Sequence, residues 1–521
     1  MTRRTDRRPG AAAGPTATGQ TVAVVVPEPA DAVPLVALQP SGARIAVVCM
    51  RAGGKESRAA LDRALTAAGE RGCRPLGAVR VLGAGSGGEV AALLGALREI
   101  EPERLHTLDP DPVHVALDEA SGVPSYDVPA PHADTAAQAL AAARAWQRET
   151  GRPVFADCHR AGSDPALGAA SCRRYPEPVH WLSAGFDGRL TAFAPTAGGV
   201  VRWWQETPGD AWRGPQAWEG AGLLPGLCVV PDAHGFPHLF GLRRTARADG
   251  GADVEVVHAA QYGTGRPLTP WLSLGGPNVA ARLKGREVGF PAAAFDAAGA
   301  LFVFVRNFGH SISYRCRSAD GSLTDWNHLG GTRVADDLVA VTSAHGGVEV
   351  FARARDTAAV VRWYQRADGT WTEDRTVPFA ARPGTLAPGA EPGTVCYREF
   401  HTNEAFVWAP GAPAPYPLGD AGGTGPVAAA RPVEVDGWAY SVLARTGSAG
   451  AGSVGLHPEG RPDAGVWWQD IAGEAYGTPS VAVDRTGRLS VACRTPGAGL
   501  TVAHRDERAG SLTFGDWRSV G

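Results

Sequence analysis

Val200-Val201-Arg202-Trp203-Trp204-Gln205 returns as Val360-Val361-Arg362-Trp363-Tyr364-Gln365, and more loosely as Gly465-Val466-Trp467-Trp468-Gln469. Around these copies runs a second repeat, a tight turn followed by an alternating strand. The turns are Asp187-Gly188, His234-Gly235, Ala298-Gly299, Gly346-Gly347, Pro392-Gly393, Asp436-Gly437 and Thr486-Gly487. Glycines 188, 235, 299, 347, 393, 437 and 487 lie 47, 64, 48, 46, 44 and 50 residues apart. A tryptophan closes the unit at Trp218, Trp271, Trp326, Trp371 and Trp517. Short strands at a period of roughly 40–50 residues mean propeller blades, because one four-stranded sheet cannot bury both faces until its neighbours stack on it. Seven turns predict a seven-bladed β-propeller over residues 178–521.

The region before it reads differently. Val22–Val26, Ile45–Met50, Ala78–Leu82 and Pro153–Cys158 have strand composition, and Arg58–Glu70, Glu89–Glu99 and Thr135–Glu149 have helical spacing of Ala and Leu. That alternation predicts a Rossmann-like domain over 21–160, with a parallel sheet wound by helices. The chain is therefore multidomain, α/β followed by all-β. Residues 1–20, rich in Arg, Pro, Ala and Thr, read as a disordered N-terminus, and 161–177 as a linker.

Bulk properties exclude several classes. With 50 basic and 53 acidic residues, nothing points to a nucleic-acid partner. No apolar run is long enough for a membrane span. The eight cysteines include no Cys-x-x-Cys pair, so a zinc knuckle is not expected. The short Val22–Val26 run is better used as a strand than as the core of a signal peptide, so we expect a cytoplasmic protein. Oligomeric state is not legible.

The propeller units resemble those of bacterial and fungal lectin-like propellers, including fucose-binding ones. That resemblance implies a glycan or glycosylated small molecule as partner. Exposed indole faces suit sugar C–H groups, and arginines beside them suit hydroxyls. Candidate ligand-binding residues are therefore Arg202, Trp203, Arg362, Trp363 and Trp467. The competing reading is that bulky aromatics simply pack blade against blade.

In the first domain, Val26-Pro27-Glu28-Pro29-Ala30-Asp31 runs from a buried strand into an acidic, proline-punctuated turn. It resembles the His-Pro-Asp-Asp motif of the PIG-L/LmbE-like N-acetylglucosaminyl deacetylases, with Glu28 in place of a metal-binding His and Ala30 in place of the general base. Asp31 matches the second metal ligand. The family's His-x-Asp-His motif is met by His132-Ala133-Asp134-Thr135, in which His132 keeps the acid or oxyanion role and Thr135 replaces a metal-binding His. The resemblance implies a metal site at Asp31, Glu28 and Asp134, an oxygen-rich set that would suit a hard divalent cation better than Zn²⁺. Without Ala30's missing carboxylate, the domain reads as a pseudoenzyme with no cofactor. A remodelled metal-dependent amide hydrolase and a non-catalytic interaction scaffold remain the alternatives.

Two further motifs weigh less. Gly83-Ala84-Gly85-Ser86-Gly87-Gly88 matches a dinucleotide-binding pattern but follows the third strand rather than the first. Asp157-Cys158-His159-Arg160 puts a thiol beside an imidazole. Adjacent strand residues face opposite ways, so we expect a core Cys158 and a surface His159 rather than a catalytic pair.

Overall fold

A computed structural model describes residues 19–520, apart from 84–87, 119, 210, 282, 319, 420–421, 448–449, 496–498, 507–511 and 516. The expected disordered N-terminus up to residue 18 and the centre of the glycine-rich loop lie outside the described residues.

The first domain runs β1 (Thr21–Val26), α1 (Pro29–Ala37), β2 (Arg44–Cys49), α2 (Lys55–Glu70), β3 (Arg74–Pro75), β4 (Arg80–Val81) and α3 (Glu89–Ile100). It continues with β5 (Arg104–Leu108), β6 (Ala116–Leu117), β7 (Pro124–Ser125), α4 (Ala130–Thr150) and β8 (Phe155–His159). The sheet order is β3-β2-β1-β5-β8, and its pairings are parallel. β1 is a continuous apolar run because both its faces are covered. Ala23, Val25, Ala46 and Val48 pack on Leu93, Leu97 and Leu140 of α3 and α4. Val22, Val24, Ile45 and Val47 pack on Leu35, Val36 and Leu61 of α1 and α2. Each fully buried Val, Leu or Ile among them contributes roughly 1.5–3 kcal/mol.

Two boundaries differ from expectation, and both move site residues. The acidic turn after β1 is the first turn of α1, with Glu28 at its N-cap and Pro29 at the first helical position. The Glu28 N–H donates to Asp31 Oδ2 at 3.1 Å, which fixes that carboxylate against the helix start. α4 begins at Ala130 rather than at Thr135, so His132 and Asp134 sit in its first turns.

The rest of the chain forms seven four-stranded antiparallel sheets, each from consecutive strands. The blades span 182–219, 228–275, 292–330, 334–374, 387–417, 424–474 and 480–520. Each predicted turn joins the first two strands of one blade, and its glycine has φ between +75° and +87° (in blade 4 this is Gly346, not Gly347). Only glycine takes that conformation without strain. The ring closes side by side: Trp181 Nε1–H donates to Thr478 O at 3.0 Å, and Ser480 Oγ–H donates to Val179 O at 2.7 Å, tying blade 1 to blade 7.

Residues 161–177 contain a 3-10 turn, Pro165–Leu167, and a short helix α5 (Ala169–Cys172). Pro176–His180 then lines the central channel, whose wall is otherwise the innermost strands of blades 2 to 5. The α/β domain lies across one face of the propeller. Arg144 Nε–H donates to Ala197 O in the second turn of blade 1. Arg244 of blade 2 pairs with Asp111, and Arg174 pairs with Asp336 of blade 4. Ser171 Oγ–H donates to Pro383 O, which leads into blade 5, and Arg494 of blade 7 pairs with Glu177.

Candidate functional site

The order of the sheet reverses between β1 and β5, where open α/β sheets form a crevice at their strand ends. A cavity of about 220 Å³ lies there, lined by Ala30, Asp31, Leu108, His132, His159 and the loop Arg160–Ser163. His132 Nε2 is 3.3 Å from Asp31 Oδ1. Burial raises the Asp31 carboxyl, and His132 partly offsets this. Burial, with Asp31 and Glu28 nearby, pushes the Cys49 thiol up to about 12, so it is no nucleophile at neutral pH.

The other predicted ligands do not join that pair. Glu28 turns towards Arg51, at 4.0 Å, and both are about half exposed. Asp134 is exposed, two residues past His132 and so on another side of α4, while Thr135 is buried. Ala30 offers only its backbone N–H, which donates to Ser57 Oγ at 2.9 Å. Asp31 and His132 are thus brought together, without Glu28 or Asp134.

His159 belongs to this cleft, contrary to the expectation of a surface side chain. It is 1% exposed, and Cys158 on the opposite face is also buried, because β8 is covered on both sides. His159 Nε2 is 2.9 Å from His106 Nδ1, with the rings stacked at 5.1 Å. One proton between two neutral rings satisfies that contact. Burial holds His159 down at about 4 and His106 well below its usual value. Beside them burial raises Asp157, but Arg173 and Arg104 outweigh it and hold the carboxyl well below the usual range.

Among the described residues, one group places three metal-ligating side chains close together: His114, Glu287 and His310, with ligating atoms within 4.8 Å of one another. His114 Nδ1 is 2.5 Å from Glu287 Oε2, and its Nε2 is 3.0 Å from His310 Nε2. Tyr126 O–H donates to Glu287 Oε1 at 2.5 Å. Two imidazoles and a carboxylate suit Zn²⁺ as a donor set. However, the Arg355 guanidinium stands 3.1 Å from His310 Nδ1, a fixed positive charge that opposes a second cation. The arrangement is a hydrogen-bond chain joining the α/β domain to blades 3 and 4.

On the propeller the predicted binding residues divide by burial. Trp203 and Trp363 are 0% and 1% exposed, so neither presents a face to a ligand. Trp203 packs between blades 1 and 7, against Leu190, Leu500 and Val502, and Trp363 packs between blades 3 and 4. Arg202 Nε–H donates to Gln216 Oε1 at 2.8 Å while the guanidinium lies 4.5 Å over Trp204. Arg362 pairs with Glu349 at 2.6 Å and lies 4.4 Å over Tyr364. These four residues hold the blades. Trp467 is different: it starts the fourth strand of blade 6, whereas Trp203 and Trp363 lie on third strands. The loose third copy is therefore a closing-tryptophan element in another register.

Trp467 is 67% exposed and Trp438 68% exposed, and Tyr440 lies 6.1 Å from Trp467. Tyr440 pairs across the sheet with Pro458. These aromatics share the face of blade 6 that packs towards blade 7, whereas Ser441 and His457, on the opposite face, line a cavity of about 290 Å³ between blades 5 and 6 with Glu391 and Tyr416. Trp438 and Tyr440 escaped the sequence reading because blade 6 breaks the Arg-Trp-Trp pattern that drew attention elsewhere.

No family model and no curated protein matches this chain. Similar solved structures include AofleA from Arthrobotrys oligospora, 10% identical with TM-score 0.36, covering 67% of this chain and 86% of that one. The Aleuria aurantia lectin, a six-bladed propeller with fucose recognition, is 15% identical with TM-score 0.34 over 57% and 97%. The NanB sialidase from Streptococcus pneumoniae is 11% identical with TM-score 0.37 over 62% and 65%. Superpositions this loose say nothing about ligands. An exposed aromatic rim can stack on the C–H face of a sugar ring. The Asp31–His132 pair can orient a proton at His132, with no second carboxylate to activate water.

Proposed function

We propose that the protein binds a carbohydrate through its propeller, at the exposed aromatic face of blade 6. The observation that carries this reading is the exposed Trp438 and Trp467 on the face of blade 6 turned towards blade 7, with the half-buried Tyr440 6.1 Å from Trp467. Exposed tryptophans on one sheet face leave apolar surface in water, and a sugar's C–H face can cover it. The propeller resemblance seen in the sequence points the same way. The partner is a glycan or a glycosylated small molecule.

The α/β domain is, on this reading, a deacetylase-like domain that no longer hydrolyses amides. Its support is local: Ala30 in the general-base position, Thr135 in a metal-ligand position, and Asp134 turned out of the cleft. The contact between His132 and Asp31 favours a second reading, a remodelled hydrolase, because an acid group is still positioned there. A glycan array with the full chain tests the first reading, and binding that survives Trp438→Ala and Trp467→Ala together would sink it. Metal analysis and acetate release from N-acetylglucosaminides test the second. Turnover abolished by Asp31→Ala would establish it.

A further inference from the structure

A second cavity, of about 230 Å³, lies where the end of β5 meets blades 3 and 4. Arg160, Arg306, Arg353 and Arg355 line it, with Asp109, Asp127 and Asp336. Arg160 and Ala161 also line the cleft that holds Asp31 and His132, so the two cavities share a wall.

The charges here do not balance. The buried carboxylates are already engaged: Asp336 by Arg174 and Arg306, Asp109 by Arg174, and Asp337 by Arg353. Counting Arg174, five guanidinium groups therefore meet four carboxylates, the buried Asp109, Asp336 and Asp337 and the exposed Asp127. Arg160 has no acceptor within hydrogen-bonding distance of its guanidinium among the described residues. Arg306, 1% exposed, keeps its Nη2 buried and without a partner. Arg355 spends Nη1 on His114 O at 2.5 Å. An arginine cannot shed its proton to escape such a position, and a buried charge without a counter-ion is costly. Burial lowers Arg160, and the more distant Asp336 and Asp337 offset this only in part.

We propose that this cavity is a binding site for a small oxyanion, a phosphate or carboxylate group, held by Arg160, Arg306 and Arg355. It stands apart from the aromatic face of blade 6, and an anionic group seated there would lie next to the Asp31–His132 crevice. Planar forked guanidiniums converging from two domains match oxyanion geometry. Free phosphate and an acidic substituent on a larger ligand share this chemistry.

The probe is inorganic phosphate, titrated calorimetrically into the full chain against potassium chloride of equal ionic strength. The wild-type chain is expected to bind it saturably. Arg160→Gln and Arg355→Gln should each weaken binding by about ten- to a hundredfold, the worth of a charged hydrogen bond. Arg213→Gln, a surface pair with Glu206, should leave it unchanged. No saturable binding, or equal binding by both cavity variants, overturns the proposal. Melting gives an independent reading: without phosphate, Arg160→Gln should melt above the wild type, because it removes an unneutralised charge. If it melts below, Arg160 is already compensated and the site falls. Competition by glucuronate but not glucose at the same site would extend it to an acidic sugar, while displacement by glucose would refute anion recognition.

Discussion

Arg174 Nη1 lies 2.9 Å from Asp336 Oδ2, joining the α/β domain to the innermost strand of blade 4, and both side chains are buried. The same arginine reaches Asp109 at 3.0 Å, and Arg306 donates to the other oxygen of Asp336. Asp336→Asn would strip a counter-charge from two buried arginines at once. Breaking one partner of a buried ion pair costs about 3–5 kcal/mol. Chemical denaturation should show that loss. Because the pair spans both domains, we expect tryptophan fluorescence from the propeller and helical circular dichroism from the α/β domain to shift together. Loss confined to the helical signal would mean that the domains unfold independently.

The tryptophans separate stability from binding. Trp203→Ala empties the seam between blades 1 and 7 and should cost about 3–5 kcal/mol. Trp467→Ala removes a side chain that is two-thirds exposed and should change stability by less than about 0.5 kcal/mol. The order reverses for ligand: Trp467→Ala should lower sugar affinity about tenfold, given ~0.5–1.5 kcal/mol for an aromatic contact. Melting curves and glycan titration of the two variants check both halves.

That contrast also marks how far the sequence carried. Blade number was legible because each hairpin needs a glycine at positive φ, and this constraint recurs regardless of what the blade packs against. The parallel sheet was legible for a similar reason, since β1 is buried on both faces and reads as unbroken valine. Burial of individual tryptophans was not legible. Trp203 and Trp467 have nearly the same neighbours in the chain, and only the strand each occupies decides whether it faces a seam or water. Nor was the His106–His159 contact, which depends on β5 and β8 pairing in register from opposite ends of α4. The Arg160–Arg306–Arg355 cavity was invisible for the same reason: its arginines come from distant segments.

Acid should weaken the fold before the carboxylates titrate. Burial holds His159, His238 and His504 at about 4, and His258 and His310 at about 3. Each value is depressed below the unfolded value of about 6.5. The unfolded chain therefore binds more protons between roughly pH 6.5 and 4. The stability from keeping these rings neutral is present above pH 6.5 and is lost as pH falls through that window, by up to about 1.4 kcal/mol per group per pH unit. Asp109, raised to about 6 by burial, opposes this trend, as do Asp31 and Glu459, which burial also raises. Urea midpoints at pH 7, 6 and 5 should fall, and His238→Gln with His258→Gln should flatten the slope. A midpoint unchanged down to pH 5 would contradict the assignment.

The turn glycines give a graded test of blade packing. Gly188 and Gly235 occupy the same turn in blades 1 and 2, with φ of +75° and +80°. Alanine at either position bears the left-handed penalty of about 1–2 kcal/mol. A Cβ on Gly188 would meet only Pro208, no closer than 3.7 Å, so Gly188→Ala should cost little beyond that penalty. A Cβ on Gly235 would lie 2.2 Å from the Ala184 carbonyl oxygen of the neighbouring blade, which is backbone and cannot rotate away. Gly235→Ala must therefore push blade 2 from blade 1 as well as strain its own turn. Equilibrium unfolding should rank Gly235→Ala clearly below Gly188→Ala. Equal losses would show that the blades slide freely at this seam, and that the glycine period reflects turn conformation alone.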